Sequence, residues 1–418
     1  MILRARVLLP VSRPPIENGA VWITGDRIQW AGRWDDLPAA GDETVFDLGE
    51  TVLLPGLVNA HCHLDYTAFV GQIPPQKYFS DWIKALVSLK AGWSYSDFAQ
   101  SWLLGAKMLL QNGVTTVADV EAVPELLPQV WESTPLRVMS FLELISIKSR
   151  HSAARIVDEA VAKFENLPGG RERRGLSPHA PYTTSPELLQ QAARAARQRK
   201  LRLTTHVAES AEEVEMFTER RGALFDWLQP QRDMSDCGRG SPVNHLARNG
   251  LLAKQLLAVH VNYLAPGDAR LLGECGVSVV HCPRSHEYFR HQRFPYEELS
   301  EAGVNICLGT DSLASVKKVK KDHGPSTELD FFAEMTSFVR AYPGVAPETI
   351  LRMATTHGAK AIGMTKQIGQ ISEGAFPDLI GLPFAGKAGS VYESIVHHSG
   401  PVTGSMIAGK WAVKPNSG

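Results

Sequence analysis

The chain has 418 residues, 44% of them hydrophobic and 21% charged, which excludes a disordered or fibrous protein and allows a large core plus an accessory domain. Lys and Arg number 43 against 44 Asp and Glu, a net charge of -1, so no global field draws the chain to nucleic acid or an anionic membrane. The expected partner is a small molecule, and the five cysteines, odd in number and without paired spacing, point away from a disulfide framework and toward the cytoplasm.

The N-terminal stretch is basic and apolar, but Arg4 and Arg6 interrupt it and no small-residue cleavage site follows, so no signal peptide is expected. No apolar run reaches the length of a membrane span. Residues 2–9, 19–23, 27–30, 45–48 and 52–54 alternate as short strands, with Gly25-Asp26 as a hairpin signal. The far end repeats the style at 378–382, 390–397 and 402–412, the last broken by a turn at Gly409-Lys410. Neither end makes a stable sheet alone, so the two are expected to pair into one discontinuous β-sandwich domain, residues 1–53 plus 366–418.

Between them, strand candidates at 54–58, 114–119, 137–142, 175–177, 202–206, 257–260, 277–281 and 304–309 alternate with amphipathic segments such as 98–111, 153–164, 186–197, 209–219, 268–275 and 327–342. Eight strands with intervening helices over about 250 residues is the size of a TIM barrel, so residues 54–365 are expected to form a (β/α)8 catalytic domain. Residues 231–241 read as an inserted polar loop.

In such a barrel the site forms where strands end. The first strand leads into Asn59-Ala60-His61-Cys62-His63, and residues two apart on an extended segment point to the same side, which suits two imidazoles to a divalent metal. The fifth ends in His206-Val207-Ala208-Glu209, the sixth at His260, and the eighth in Gly309-Thr310-Asp311-Ser312. Any one of these alone reads equally well as a satisfied structural residue; all of them at strand exits read as a metal site. Three neutral imidazoles and a carboxylate leave a metal's charge largely uncompensated, lowering the pKa of bound water until it is a nucleophile near neutral pH. Hydrolysis by such a nucleophile also needs a proton carrier outside the metal shell, a task that suits Glu209, whose bland alternative is a first-turn helix residue favoured by the dipole.

Pro55-Gly56-Leu57-Val58-Asn59-Ala60-His61-Cys62-His63, His206-Val207-Ala208-Glu209 and Gly309-Thr310-Asp311-Ser312 together resemble the motifs of the aminohydrolase branch of the amidohydrolase superfamily, with segments 369–382 and 402–413 similar to its C-terminal sheet. The resemblance implies that His61, His63, His206 and Asp311 bind one metal ion, that Asp311 also touches the attacking water, that Glu209 is the general acid/base and that His260 orients the water. The fourth strand exit, Ser177-Pro178-His179, lacks the bridging lysine or carboxylate of binuclear relatives, so a mononuclear site is implied. Zinc is the expected ion, and ferrous iron accepts the same donors.

The resemblance also places His179 at the substrate. His286 replaces the usual asparagine in His281-Cys282-Pro283-Arg284-Ser285-His286, and Gln72, Pro74 and Pro75 replace the arginine-glycine pair and ribose-binding acid of adenosylhomocysteine deaminases. Among subfamilies the chain looks most like the aminodeoxyfutalosine deaminases of menaquinone biosynthesis, whose substrate carries an adenine ring and a benzoate. A cation should then meet the carboxylate: Arg284 is the first candidate and the run Lys317 to Lys321 the second, although such a run is also an ordinary solvated loop. Phe79 and Trp82 offer a stacking face, or simply anchor a helix. Alternatives on the same scaffold are a deaminase of adenosylhomocysteine, methylthioadenosine, guanine or a pterin, a chlorohydrolase or cyclic amidase, and, outside catalysis, a barrel that only binds; a homodimer remains open.

Overall fold

The computed structural model describes residues 1–39, 41–147, 149–167, 174–318 and 327–415. Eight strands from the two chain ends form a mixed sheet: β1 (Ile2–Leu8), β2 (Ile16–Thr24), β3 (Arg27–Arg33), β4 (Val45–Asp47), β5 (Thr51–Pro55), β14 (Leu379–Pro383), β15 (Gly404–Ile407) and β16 (Lys410–Val413), in the order β16-β15-β14-β5-β1-β2-β3 with β4 beside β1. Leu3, Ala5, Leu8, Val21, Ile23, Leu53, Leu379 and Met406 pack as its own core. The β2–β3 and β15–β16 turns meet so closely that a Cβ on Gly409 would lie 2.3 Å from the Gly25 carbonyl oxygen, and both glycines take left-handed φ.

The other sheet is the barrel: β6 (Leu57–Cys62), β7 (Val114–Glu121), β8 (Arg137–Leu144), β9 (Arg174–Pro178), β10 (Arg202–Val207), β11 (Leu256–His260), β12 (Ser278–His281) and β13 (Asn305–Leu308), all parallel and paired in sequence order. A parallel bridge between Cys62 and Asp311 closes the ring. Alternation along each strand sorts the apolar residues. Leu257 and Val259 cluster with Val58, Ala60, Ala118, Val120 and Phe141 from strands that are not their neighbours, which defines the barrel interior. Leu256 and Ala258 cluster instead with helix residues such as Leu188, Ala192 and Leu272.

Two sequence expectations need correction. The strand expected at 390–397 is a short helix, Val391–Val396, whose buried Val391, Ile395 and Val396 follow helical spacing. The strand expected at 54–58 is two strands that part at Gly56, where the Thr115 side chain occupies the space of a Cβ, 2.0 Å away at its nearest atom. Residues 229–241 carry neither helix nor strand, as expected of an insertion, yet Arg232 and Asp236 form a buried ion pair within them. At the seam between sheet and barrel, Arg137 donates to both oxygens of Asp378, at 2.9 and 3.1 Å, and lies over the Phe376 ring. Among the described residues no helix is long and apolar enough to cross a membrane.

Candidate metal and active site

The exits of β6, β10, β11 and β13 converge at the mouth of the barrel. His61, His63 and His206, all buried, each offer a ring nitrogen, and these lie within 4.8 Å of one another. The Nε2 atoms of His63 and His206 face each other at 3.2 Å, and Asp311 Oδ1 lies 3.8 Å from His61 Nε2. Both ring nitrogens of His61 and Nδ1 of His63 are buried without a hydrogen-bond partner among the described residues. Buried polar atoms in folded proteins are paired, so these nitrogens mark a demand that the described residues do not meet.

Neighbouring groups hold the donors in place. His206 Nδ1 donates to the His179 carbonyl at 2.8 Å, which fixes its ring and frees Nε2 for the cluster. Asp311 Oδ2 accepts from Ser285 at 2.7 Å and Ser315 at 2.8 Å. Asn59 clamps the last exit, donating to Thr310 Oγ1 at 2.7 Å and accepting from the Thr310 N–H at 3.1 Å. Burial, followed by the neighbouring histidines, keeps His63 well below its usual pKa and pushes His206 down to about 3. Burial works against the Asp311 carboxylate, but the close approach of His61 and the charges of His260 and His63 hold it well below the usual range. Neutral imidazoles beside an ionised carboxylate are the protonation states that a divalent cation needs.

Several exits leave their strands in left-handed backbone: Ala208 at φ 49°, His260 at 73°, Val261 at 50° and Asp311 at 53°. Side-chain-bearing residues avoid this region, a β-branched valine most of all, and such strain gathers where a site must be aimed. At β11 the turn redirects His260 off the outward register of Leu256 and Ala258. Its Nε2 then lies 3.5 Å from Glu209 Oε1. Burial, then Asp311 and Glu213, raise the Glu209 carboxyl well above its usual pKa. The Glu209 backbone is held at both ends, its N–H by Glu213 and its carbonyl by Asn262, each at 2.9 Å.

A cavity of about 280 Å³ opens onto this cluster. His63, His206, Glu209, His260 and Asp311 line its floor; Trp82, stacked on Phe79, and His179 line its wall. His179 Nδ1 pairs with Thr183 Oγ1 at 2.7 Å. Arg284 is not among the lining residues. Its guanidinium donates to the Glu328 carbonyl at 2.9 Å and pairs with buried Glu334, so its expected role toward a substrate carboxylate is corrected by geometry. Lys317 lines a separate depression, and Lys318 approaches Gly71. Residues 319–321 of the Lys run lie outside the described residues.

Sequence reasoning missed Lys90, Glu143, Tyr182 and Trp227, which also line the cavity. Lys90 ends the helix Phe79–Lys90, whose residues 79, 82, 83, 86, 87 and 90 face the cavity in one stripe of helical spacing. That period was the available signal. Lys90 donates to the Tyr66 hydroxyl, and the Tyr66 ring stacks on His63 at 5.2 Å.

Comparison with known proteins is consistent with this site. Residues 52–412 match the amidohydrolase family. A 5-methylthioadenosine/S-adenosylhomocysteine deaminase of Syntrophobacter fumaroxidans is 32% identical over 387 residues, covering 88% of this chain and 80% of that one. An aminodeoxyfutalosine deaminase of Deinococcus radiodurans is 31% identical over 359 residues, covering 82% and 81%. The fold is shared with a zinc-bound adenosine deaminase from Xanthomonas campestris, at a TM-score of 0.82 and 24% identity over 98% of this chain and 92% of that one. A family match across most of the length and relatives above 30% identity establish that this chain belongs to the amidohydrolase family.

Proposed function

We propose that the protein hydrolytically deaminates an adenine-type heterocycle, with His61, His63, His206 and Asp311 holding one divalent metal ion, zinc by preference. The observation that carries this reading is the Glu209 carboxyl, buried 3.5 Å from His260 Nε2 on the same cavity floor as the three convergent imidazoles. The unpartnered nitrogens of His61 and His63 fit a cation, and the zinc in the Xanthomonas campestris deaminase supports that choice over iron. When bound, such an ion supplies a Lewis acid that ionises water near neutral pH.

The chain's own groups do the rest. Glu209, its pKa raised, retains a proton that it can pass to a ring nitrogen as the amine-bearing carbon is attacked, and afterwards it helps ammonia depart. Neutral His260 accepts a hydrogen bond from the attacking water and fixes its approach. His179 flanks the ring, and Phe79 and Trp82 exclude solvent on the other wall. Residues 54–365 act as the catalytic unit, and the five cysteines, all free thiols, suit the cytoplasm.

The finer reading is aminodeoxyfutalosine deaminase of menaquinone biosynthesis. Ile83, Leu86, Ile145, Ile147 and Trp227 give the outer cavity an apolar wall suited to an aryl group, and Lys90 is the only Lys or Arg among the described residues that line it. Lys90 thus takes over the carboxylate role expected of Arg284. The test is ammonia release by zinc-loaded protein from aminodeoxyfutalosine, S-adenosylhomocysteine, 5′-methylthioadenosine, adenosine and guanine. Preference for aminodeoxyfutalosine that Lys90→Ala removes supports the finer reading; preference that survives Lys90→Ala overturns the Lys90 assignment. Silence on every substrate overturns the deaminase.

A further inference from the structure

Glu143 stands near the end of β8, followed by Ile145 and Ile147, and it lines the active cavity. Its side chain is 9% exposed, and among the described residues no donor reaches it within hydrogen-bond distance. His179 Nε2 lies 3.9 Å away. A carboxylate that faces the cavity with no hydrogen-bond partner among the described residues is free to accept from a ligand there.

Its position says which part of a ligand that is. Around the barrel mouth the exits of β10, β9 and β8 follow one another: the His179 ring lies 4.9 Å from the His206 ring, and Glu143, on the next strand, lies 3.9 Å from His179 Nε2. A heterocycle with its amine-bearing carbon at the cluster runs alongside His179, so the group attached to the ring's other end arrives at Glu143. We propose that Glu143 is a specificity residue that accepts both hydroxyls of a vicinal diol on the sugar of a nucleoside substrate. A carboxylate has two acceptor oxygens and no donor, which matches two adjacent O–H donors and rejects a deoxygenated sugar. The inference rests on the deaminase reading above and adds which residue reads the sugar.

The experiment compares kcat/KM for adenosine and 2′,3′-dideoxyadenosine in zinc-loaded wild type, Glu143→Gln and Glu143→Ala. Wild type should favour adenosine by about 10- to 100-fold, the range of hydrogen bonds to a charged group. Both variants should bring the ratio near unity by losing kcat/KM on adenosine, and wild-type circular dichroism shows that they fold. Equal handling of the two substrates by wild type overturns the diol assignment and leaves the deaminase intact. Equal loss on both substrates in Glu143→Ala overturns it in favour of a partner for Lys90 or His179. No ammonia from any adenine nucleoside with wild type overturns the deaminase and this inference together.

Discussion

At the seam between barrel and end sheet, Arg137 and Asp378 satisfy one another: two hydrogen bonds join them, the Ala408 N–H donates to the same carboxylate at 2.8 Å, and neither residue has a buried atom left over. At the mouth of the barrel, His61, His63 and His206 are equally buried, yet His61 and His63 keep ring nitrogens that no group among the described residues meets. Both assemblies withdraw polar groups from water. Only the first recovers their interactions within the chain, so it serves stability, while the second is complete only with something added.

The sharpest way to break that contrast is at the mouth. His206→Ala or Asp311→Asn should fold with wild-type circular dichroism, bind no stoichiometric zinc by elemental analysis and lose activity to background; a metal-loaded, active variant would put the ion elsewhere. Glu209→Gln should keep its zinc and lose about 10²- to 10⁴-fold in kcat, since an amide carries no proton. Retained turnover would assign proton transfer to another group. At the seam the effects should reverse. Asp378→Ala strands a buried guanidinium and an N–H, costing about 3–5 kcal/mol by denaturant unfolding, while the folded fraction turns over normally. A marginal change there would show that the seam contributes little.

Zinc itself should sharpen the comparison. At about 100 times its dissociation constant it should stabilise wild type by about 2.7 kcal/mol and Asp378→Ala by the same amount, but not His206→Ala. The smallest effect concerns Glu213, whose fully buried carboxyl supports the Glu209 backbone. Burial lifts its pKa from 4.5 to about 8, opposed in part by the backbone N–H groups of Glu209 and Ala208. A raised carboxyl pKa means that the folded state holds a proton the unfolded state has released. The contribution is therefore full below about pH 4.5 and lost as pH rises to about 8. Metal-free Glu213→Gln should show a shallower decline across that window than metal-free wild type; identical slopes would mean that Glu213 does not titrate there.

Legibility in the sequence followed the range of the interaction involved. The barrel strands were readable because each is a short apolar run whose polar exit residue stands out, and the structure brings His61, His63, His206, Glu209, His260 and Asp311 to one mouth. The left-handed turns that aim His260 and Asp311 left no trace, because neither residue is glycine. The split at Gly56 depends on Thr115, a contact from the next strand. Arg284 misled because its position beside a strand exit says nothing about side-chain direction: the helix Pro283–Phe289 leaves its guanidinium with Glu334. Glu143 is one acid in an ordinary strand, and only the assembled cavity shows it facing a ligand space with no hydrogen-bond partner among the described residues.

The closure of the ring bears on how the molecule comes into being. The clamp between Asn59 and Thr310 joins residues 251 apart, beside the Cys62–Asp311 bridge, so the first and last strands of the barrel meet at the candidate metal site. Contacts of such separation form late, because a long loop must be closed before they return any energy. During synthesis, the histidines near residue 60 therefore leave the ribosome long before their carboxylate partner exists. Chains stopped short of residue 311 have no complete donor set, so catalytic competence arrives in one late step, with the last strand docking against the first.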